Sequence, residues 1–547
     1  MEQQNNTIQN NYQEWQNNTP NWKERMAQIK KKKDEEATQF FETLGIGTLV
    51  YALILTLCLY KNLYSFTCPI FSISTAAYMH YISKRFGHSF HGINYFLAAT
   101  IALLGFSNFL TANYLMIFYN YLAIIILFVI NFILIFFDLK EINLLGHICF
   151  IMKYAFESLE QIPLPFDHLF RQIKRRKTSK SERTKYIIMG VVITIPVFLI
   201  VYWLLSSADA VFQQVFSIDL DWLNLEFIIE NTFGILLTFA LSYAIPYALV
   251  ISLDKTDSSK VKSVKKNYNP IIPIILGSSL SLLYVTFSVI QIVFLFMQAG
   301  TLPEGYTYAE YAREGFFQLL FLSISNAFAI LIGMELFRSH KVLKVLLLTI
   351  SGCTFIMIAS SAYRMMMYID NYGLTSYRIF VLWGLLVIFL LLLGLVYQMF
   401  VKKFSLFNYA LIVSSLCFMV LSFSHYDYWI AHYNFARYEA IQQHQLSDDS
   451  KHQESEDSYE EEADAELLFM NNRYVDYEYF LDLSEDAAPI MADHLDELFQ
   501  YMKTEKLPIH DAEWYPYKKH GKRKMSLRTF NLSRYLAEQK IPTGYSK

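Results

Sequence analysis

Charge is scarce in this chain and cysteine nearly absent. Asp, Glu, Lys and Arg make up 17% of the 547 residues, against 54% hydrophobic residues. An ordinary soluble domain carries about 25% charged residues, so the composition argues against that class. The five cysteines are Cys58, Cys68, Cys149, Cys353 and Cys417, with no CxxC and no Cys/His ligand spacing. Neither a disulfide framework nor a zinc site is expected, and the thiols read as small buried apolar side chains. His88 and His91 are three apart near His80, but no third ligand lies nearby, so no metal is expected. A phosphate-cradling GxxxxGK[ST], an HExxH and a GxSxG are all missing. No catalytic residue and no cofactor are therefore implied. Nucleic acid is not an expected partner, because the basic runs are accounted for by membrane topology.

What is plentiful is long apolar sequence. Mean hydropathy is +0.26, with 45 Phe and 39 Tyr. The apolar runs fill residues 43–423 and are continuous rather than alternating, which fits membrane helices and not a β-barrel. About 11 spans are expected, at 43–60, 63–82, 93–112, 114–137, 186–205, 228–252, 271–298, 316–337, 342–368, 378–401 and 404–423. The fold class is thus all-α: a polytopic helical transmembrane bundle. Basic residues gather in alternate loops, most densely in RQIKRRKTSKSERTK (171–185). The positive-inside rule then sets the N-terminus in the cytoplasm, and an odd span count sets the C-terminus outside a cell membrane. No cleavable leader is visible, and the first apolar run reads as a signal anchor.

Three segments follow. Residues 1–42 form a polar, disordered cytoplasmic tail, 43–423 the transmembrane domain, and 424–547 an extracytoplasmic region with an acidic linker at 442–466. The loop at 138–185 mixes apolar and basic residues. It reads as a plain connector or as a segment lying on the inner leaflet. In the C-terminal region Asp486 is placed to cap a helix with Pro489 in its first turn. Met491, Leu495, Leu498, Phe499 and Met502 then share one helical face. The basic end, YKKHGKRKMSLRTFNLSRYLAEQK, is expected to be helical.

The polar residues that stand out lie at the expected outer face. Arg364 falls about one turn before the end of a span, with Asp370 and Arg378 close behind. One reading is a structural joint in which Arg364 pairs with Asp370, Asp209, Glu310 or Glu314, and Gly373 takes a positive φ in a tight turn. The other is an anion or headgroup clamp by Arg364 and Arg378. Asp209, Glu226 and Glu230 bracket another outer loop, and the two glutamates share a helical face. Glu335 is three residues before Arg338 and reads as an intrahelical ion pair. Gln291, Gln298, Gln318 and Asn326 read as polar contacts between helices.

A resemblance accompanies these features. NYLAIIIL (120–127), PLPFDHL (163–169), LLSSADAVF (204–212), SAYRMMMYIDNYGLTSYR (361–378), YDYWIAHYNFARY (426–438), YFLDLSEDAAPIM (479–491) and FNLSRYLA (530–537) occur in order. The set resembles a bacterial family of multi-pass membrane proteins catalogued as a domain of unknown function (4173, 4153-like). Its most telling marks are Tyr372, Gly373, Leu374 and Thr375, then Ala431, Asn434, Arg437 and Tyr438. The resemblance implies a helical membrane bundle with a small exported helical tail, and no activity. The function expected is a non-enzymatic envelope sensing, scaffold or interaction protein. Its partners would be membrane lipids and an envelope protein met through 424–547. The alternatives are a transporter or lipid-handling permease with an outer polar site, and a membrane enzyme acting on lipid-linked substrates.

Overall fold

A computed structural model describes residues 22–139, 142–176, 225–256, 266–293, 316–401, 403–452, 477–507, 512–515 and 528–541, with a few short pieces between them. Helices α1 (Trp22–Phe40) and α2 (Ile46–Leu59) are joined by a π-helical turn, Phe41–Gly45. Then come α3 (Thr67–Arg85), α4 (Gly92–Leu110), α5 (Tyr114–Phe136), α6 (Leu144–Glu160) and α7 (Leu164–Arg176). Next are α8 (Leu225–Asp254), α9 (Ile271–Gln291), α10 (Phe316–Glu335), α11 (Lys341–Tyr372) and α12 (Ser376–Phe400). They are followed by α13 (Leu406–Ser422) and α14 (Tyr426–His452). The C-terminal region holds α15 (Tyr477–Leu481), α16 (Ala488–Met491), α17 (Leu495–Thr504) and α18 (Leu532–Lys540). Two strands, Tyr517–Lys518 and Gly521–Lys522, pair antiparallel. The basic end is therefore part hairpin and part helix, not helical throughout. Gly521, paired with Lys518 in this ladder, is a poor helix former.

Eight described helical stretches are long and apolar enough to cross a membrane, nine if α13 and the start of α14, bent by 57°, count as one. This is slightly fewer than the 11 expected. Residues 63–82 correspond to α3, whose sequence TCPIFSISTAAYMHYISKR carries too many hydroxyl, imidazole and basic groups. The expected span at 186–205 lies outside the described residues, apart from single helical residues at 194 and 201.

Two expectations of disorder give way to helix. Residues 22–40 are helical because WKERMAQIKKKKDEEATQF is rich in Lys, Glu, Gln and Ala, all good helix formers. That helix is held by an Asp34–Arg171 ion pair and by Glu36 with Lys255 at 2.6 Å. Likewise α14 runs on to His452, into the expected linker.

The chain packs as two compact units. The first comprises residues 1–60, 77–90 and 153–256. Here Thr48 hydrogen-bonds Tyr78 at 2.8 Å, Tyr78 stacks on Tyr51 at 4.2 Å, and Tyr60 donates to Asn231 at 2.7 Å.

The second unit comprises residues 61–76, 91–152 and 257–547. Lipid gives helices no hydrophobic reason to associate, so small residues and polar bonds fix the packing. Asn94 donates to Asn131 at 2.8 Å. Asn120 donates to Asn108 at 2.8 Å and accepts from Ser422 at 2.8 Å. Asn326 donates to Thr354 at 3.0 Å, and Ser360 donates to Gln291 at 2.6 Å. A Cβ on Gly394 would meet the Tyr409 ring at 2.3 Å, so α12 and α13 approach through that glycine. Glu335 does not spend its carboxylate on Arg338. It accepts from the backbone of Leu144 at 2.9 Å and Leu145 at 2.8 Å, capping the N-terminus of α6, where the helix dipole favours an anion.

Candidate functional site

Helix α11 has 32 residues, about 48 Å at 1.5 Å per residue. The hydrocarbon core is about 30 Å thick, so the helix outlasts it. Arg364 lies about 34 Å along the helix, where its aliphatic stem can stay among apolar neighbours, and is only 7% exposed. Asp370 is exposed, and its carboxylate accepts from the Tyr433 hydroxyl at 3.3 Å.

Beyond Arg364 the helix must end and the chain reverse into α12. Gly373 is the C-cap, at φ 77° and ψ −177°, a conformation essentially reserved for glycine. Two arginines then take up the last carbonyls of α11. Arg437, from α14, donates to the carbonyls of Asp370 at 2.9 Å and Asn371 at 2.6 Å. Arg378, from α12, donates to those of Tyr372 at 2.9 Å and Gly373, with its guanidinium 4.4 Å from the Tyr368 ring centre. Asn434 serves Leu374 on both sides, accepting from its N–H at 2.6 Å and donating to its carbonyl at 2.9 Å. Thr375 is the N-cap of α12 but makes no side-chain cap bond. The Tyr479 hydroxyl accepts from the Ser376 N–H instead, at 2.8 Å. Ala431 is fully buried beneath this assembly, Tyr438 is half-buried beside Arg437, and Tyr372 is 43% exposed.

A second polar centre sits where the C-terminal helices meet the ends of α4 and α13. Asp486 was expected to cap a helix. Ser484 is the cap instead, its hydroxyl accepting from the Asp486 N–H, while Pro489 does fall in the first turn of α16. The Asp486 carboxylate accepts from Thr111 at 2.5 Å, the Ala112 N–H at 2.8 Å and Ser533 at 2.5 Å. His425 Nδ1 is 3.2 Å away. Burial alone would push this carboxyl up. The His425 hydrogen bond and charge, with Ser533 and Thr111, outweigh burial and hold it below the usual range. The Asp486 hydrogen bond raises the His425 imidazole above its ordinary value, against the opposing effect of its own burial. Beside them Asp427 accepts from Asn113 at 2.7 Å and from the Ser484 hydroxyl at 2.5 Å. Arg534 Nε lies 2.9 Å from Glu485, and its guanidinium covers the Tyr64 ring at 3.8 Å. Asn531 donates to the carbonyls of Tyr64 and Thr111.

Both assemblies fall largely within one stretch that matches a known family. Residues 98–494 match the profile of a family described as a domain of unknown function, DUF4153. The chain belongs to this family. The DUF4153 segment contains the whole of the α11–α12 joint and also His425, Asp427 and Asp486. Ser533 and Arg534, which complete the second centre, lie beyond its end. Comparison with curated proteins and with solved structures finds no match.

Asp209 lies outside the described residues. Glu226 and Glu230 lie one helical turn apart at the start of α8, in the first unit. The residues missed by sequence reasoning are His425, Asp427, Ser484 and Arg534. A local signal existed in SED at 484–486, where three polar residues interrupt apolar sequence. Its partners at Thr111–Asn113 are hundreds of positions away, so no spacing rule reveals them.

Proposed function

We propose that this DUF4153 protein is a non-enzymatic sensing, scaffold or interaction protein of the bacterial envelope. In this reading the N-terminus faces the cytoplasm, and residues 424–547 are extracytoplasmic, with the described helices from Tyr477 to Lys540 forming a module that meets an envelope partner. One observation carries the reading: the module and the bundle share a single core. Met116, Leu421, Tyr426, Ile430 and Phe435 from the bundle side pack with Phe480, Leu483, Met491, Leu498, Trp514 and Ala537. A module welded to helix ends through apolar burial and a buried carboxylate is held in one orientation, which suits display to a partner. Of the two arginines of the expected clamp, Arg364 and Arg378, the latter is spent on the carbonyls of Tyr372 and Gly373, which supports a joint rather than a solute clamp.

The test is protease shaving of intact spheroplasts carrying an epitope at each terminus, with a photo-crosslinker at the exposed Gln500. Loss of the C-terminal epitope alone, with a discrete cross-linked protein from the envelope, is the expected result. Survival of both epitopes while a lysed control is digested would place the module in the cytoplasm and end this reading.

A further inference from the structure

The second polar centre has a use beyond holding the module. A cleft of about 510 Å³ opens directly over it. One wall is apolar, made by Leu110, Phe423, Pro489, Leu532 and Leu536. The other carries Tyr428 and Trp429. Trp429 is 56% exposed, and its ring stacks on His432 at 6.2 Å. On the floor are His425 and Asp486.

His425 is held there at some cost. Its backbone is left-handed, with φ 47°, which a side chain other than glycine adopts only when its surroundings impose it. It occupies the bend between α13 and α14, residues 423–425. Its Nδ1 is committed to Asp486, and the ring remains about a third exposed. Nε2 is therefore the polar edge left to the cleft. Asp486 fixes the ring much as a carboxylate orients the imidazole of a catalytic or metal-binding histidine. Of the two acids lining the cleft, Asp486 is matched by His425 and Glu485 by Arg534, while Asp427, buried behind them and also acting on His425, is held by hydrogen bonds from Asn113 and Ser484.

The level of the cleft matters too. Leu110 is the last residue of membrane-length α4, and Phe423 directly follows α13. The floor thus sits where hydrocarbon gives way to headgroups. An aromatic rim at that depth is the common pattern at a membrane interface.

We propose that this cleft binds an amphipathic ligand, with an apolar body along Leu110, Phe423, Leu532 and Leu536 and a phosphate or carboxylate oxygen on His425 Nε2. A membrane lipid and a free amphiphile offer the same chemistry. The experiment separates them.

Full-length protein in phosphatidylcholine nanodiscs is titrated with phosphatidate bearing brominated acyl chains, with bromododecyl phosphate, and with inorganic phosphate as competitor. The readout is the part of the tryptophan fluorescence that a Trp429→Phe variant lacks. Saturable quenching is expected, weakened about tenfold by His425→Gln, the loss of one charge-assisted hydrogen bond. That substitution also touches Asp486, so Leu536→Glu is the second variant. Leu536 is 47% exposed at the rim and makes none of the bonds to Asp486. A new carboxylate there should abolish quenching, while Leu536→Gln weakens it less. Quenching by phosphatidate alone identifies a lipid source. Quenching by bromododecyl phosphate as well identifies headgroup chemistry independent of the bilayer. Displacement by inorganic phosphate would show that the oxyanion dominates. Non-saturating quenching equal in all variants, or equal with a brominated neutral glycoside detergent, would overturn the proposal.

Discussion

Gly373 is the residue on which the α11–α12 reversal depends. A Cβ at this position would stand 2.7 Å from Asn434 Oδ1, the atom that accepts the Leu374 N–H. Any other residue must also hold a φ of 77° with an extended ψ. Gly373→Ala is therefore expected to destabilise the second unit by about 1–3 kcal/mol from backbone strain alone. The clash with Asn434 adds to that. Thermal unfolding of the purified protein in detergent reads the effect. Asn434→Ala removes both bonds to Leu374 without straining the backbone, and should be less damaging. An unchanged midpoint for Gly373→Ala would mean the turn relaxes into another form and that the glycine is incidental. The YGLT stretch announced a turn in the sequence, and Gly373 was legible as its pivot. What the sequence did not reveal is that Asn434, 61 positions on, mimics a neighbouring strand by pairing with both backbone groups of one residue.

At the scale of elements, the end of α11 is a question of satisfying carbonyls. A helix leaves its last four carbonyls without intrahelical partners. Here Asp370, Asn371, Tyr372 and Gly373 each receive an arginine N–H, two from Arg437 and two from Arg378. The same cations meet the negative end of the helix dipole. Arg437→Gln should cost about 1.5–3 kcal/mol, the range for hydrogen bonds from a charged donor. Arg437→Lys should recover part of that, because it keeps the charge but loses the planar fork. If lysine performs no better than glutamine, the charge plays no part, and if neither lowers the unfolding midpoint, the contacts are incidental. Arginines near a span end suggest carboxylate partners to any reader of sequence, and the spacing of Arg364, Asp370 and Arg378 encouraged that view. Backbone carbonyls carry no sequence signature, so a cap of this kind is invisible until helix ends are known. The N-terminal helix was hidden for a different reason. KKKKDEE reads as a solvated charge run until Arg171 and Lys255 are found opposite Asp34 and Glu36.

Across the second unit as a whole, the weld between bundle and module is electrostatic at its centre, so it should respond to pH from both sides. His425 is raised from its ordinary value of 6.5 by Asp486. A group whose folded pKa is raised contributes fully below its unfolded value, and its contribution is lost as pH climbs through the higher folded value. Asp486 is lowered from its ordinary 3.8. Its contribution is full above that value and is lost as pH falls through the lower folded one. The two together give a plateau of docking stability between about pH 4 and 6.5, with decline on either side. His425 is about one-third exposed, so the alkaline decline should be shallow and partly screened by salt. Hydrogen exchange at Met491 and Leu498, fully buried where the module meets the bundle, reads local opening without requiring global unfolding. Protection should be highest near pH 5 to 6 after correction for intrinsic rates, and the alkaline arm should shrink in His425→Gln, leaving the part due to Asp427, whose carboxyl is raised by burial. Asp486→Asn is the harsher change. It keeps the shape but leaves His425 without its anion, and the amide nitrogen, replacing one oxygen, faces either Thr111 and His425 or Ser533 and the Ala112 N–H. Protection in that variant should drop at every pH. Protection that rises steadily from pH 5 to 9 in the unaltered protein would show that His425 is neutral in the docked state, with burial outweighing Asp486.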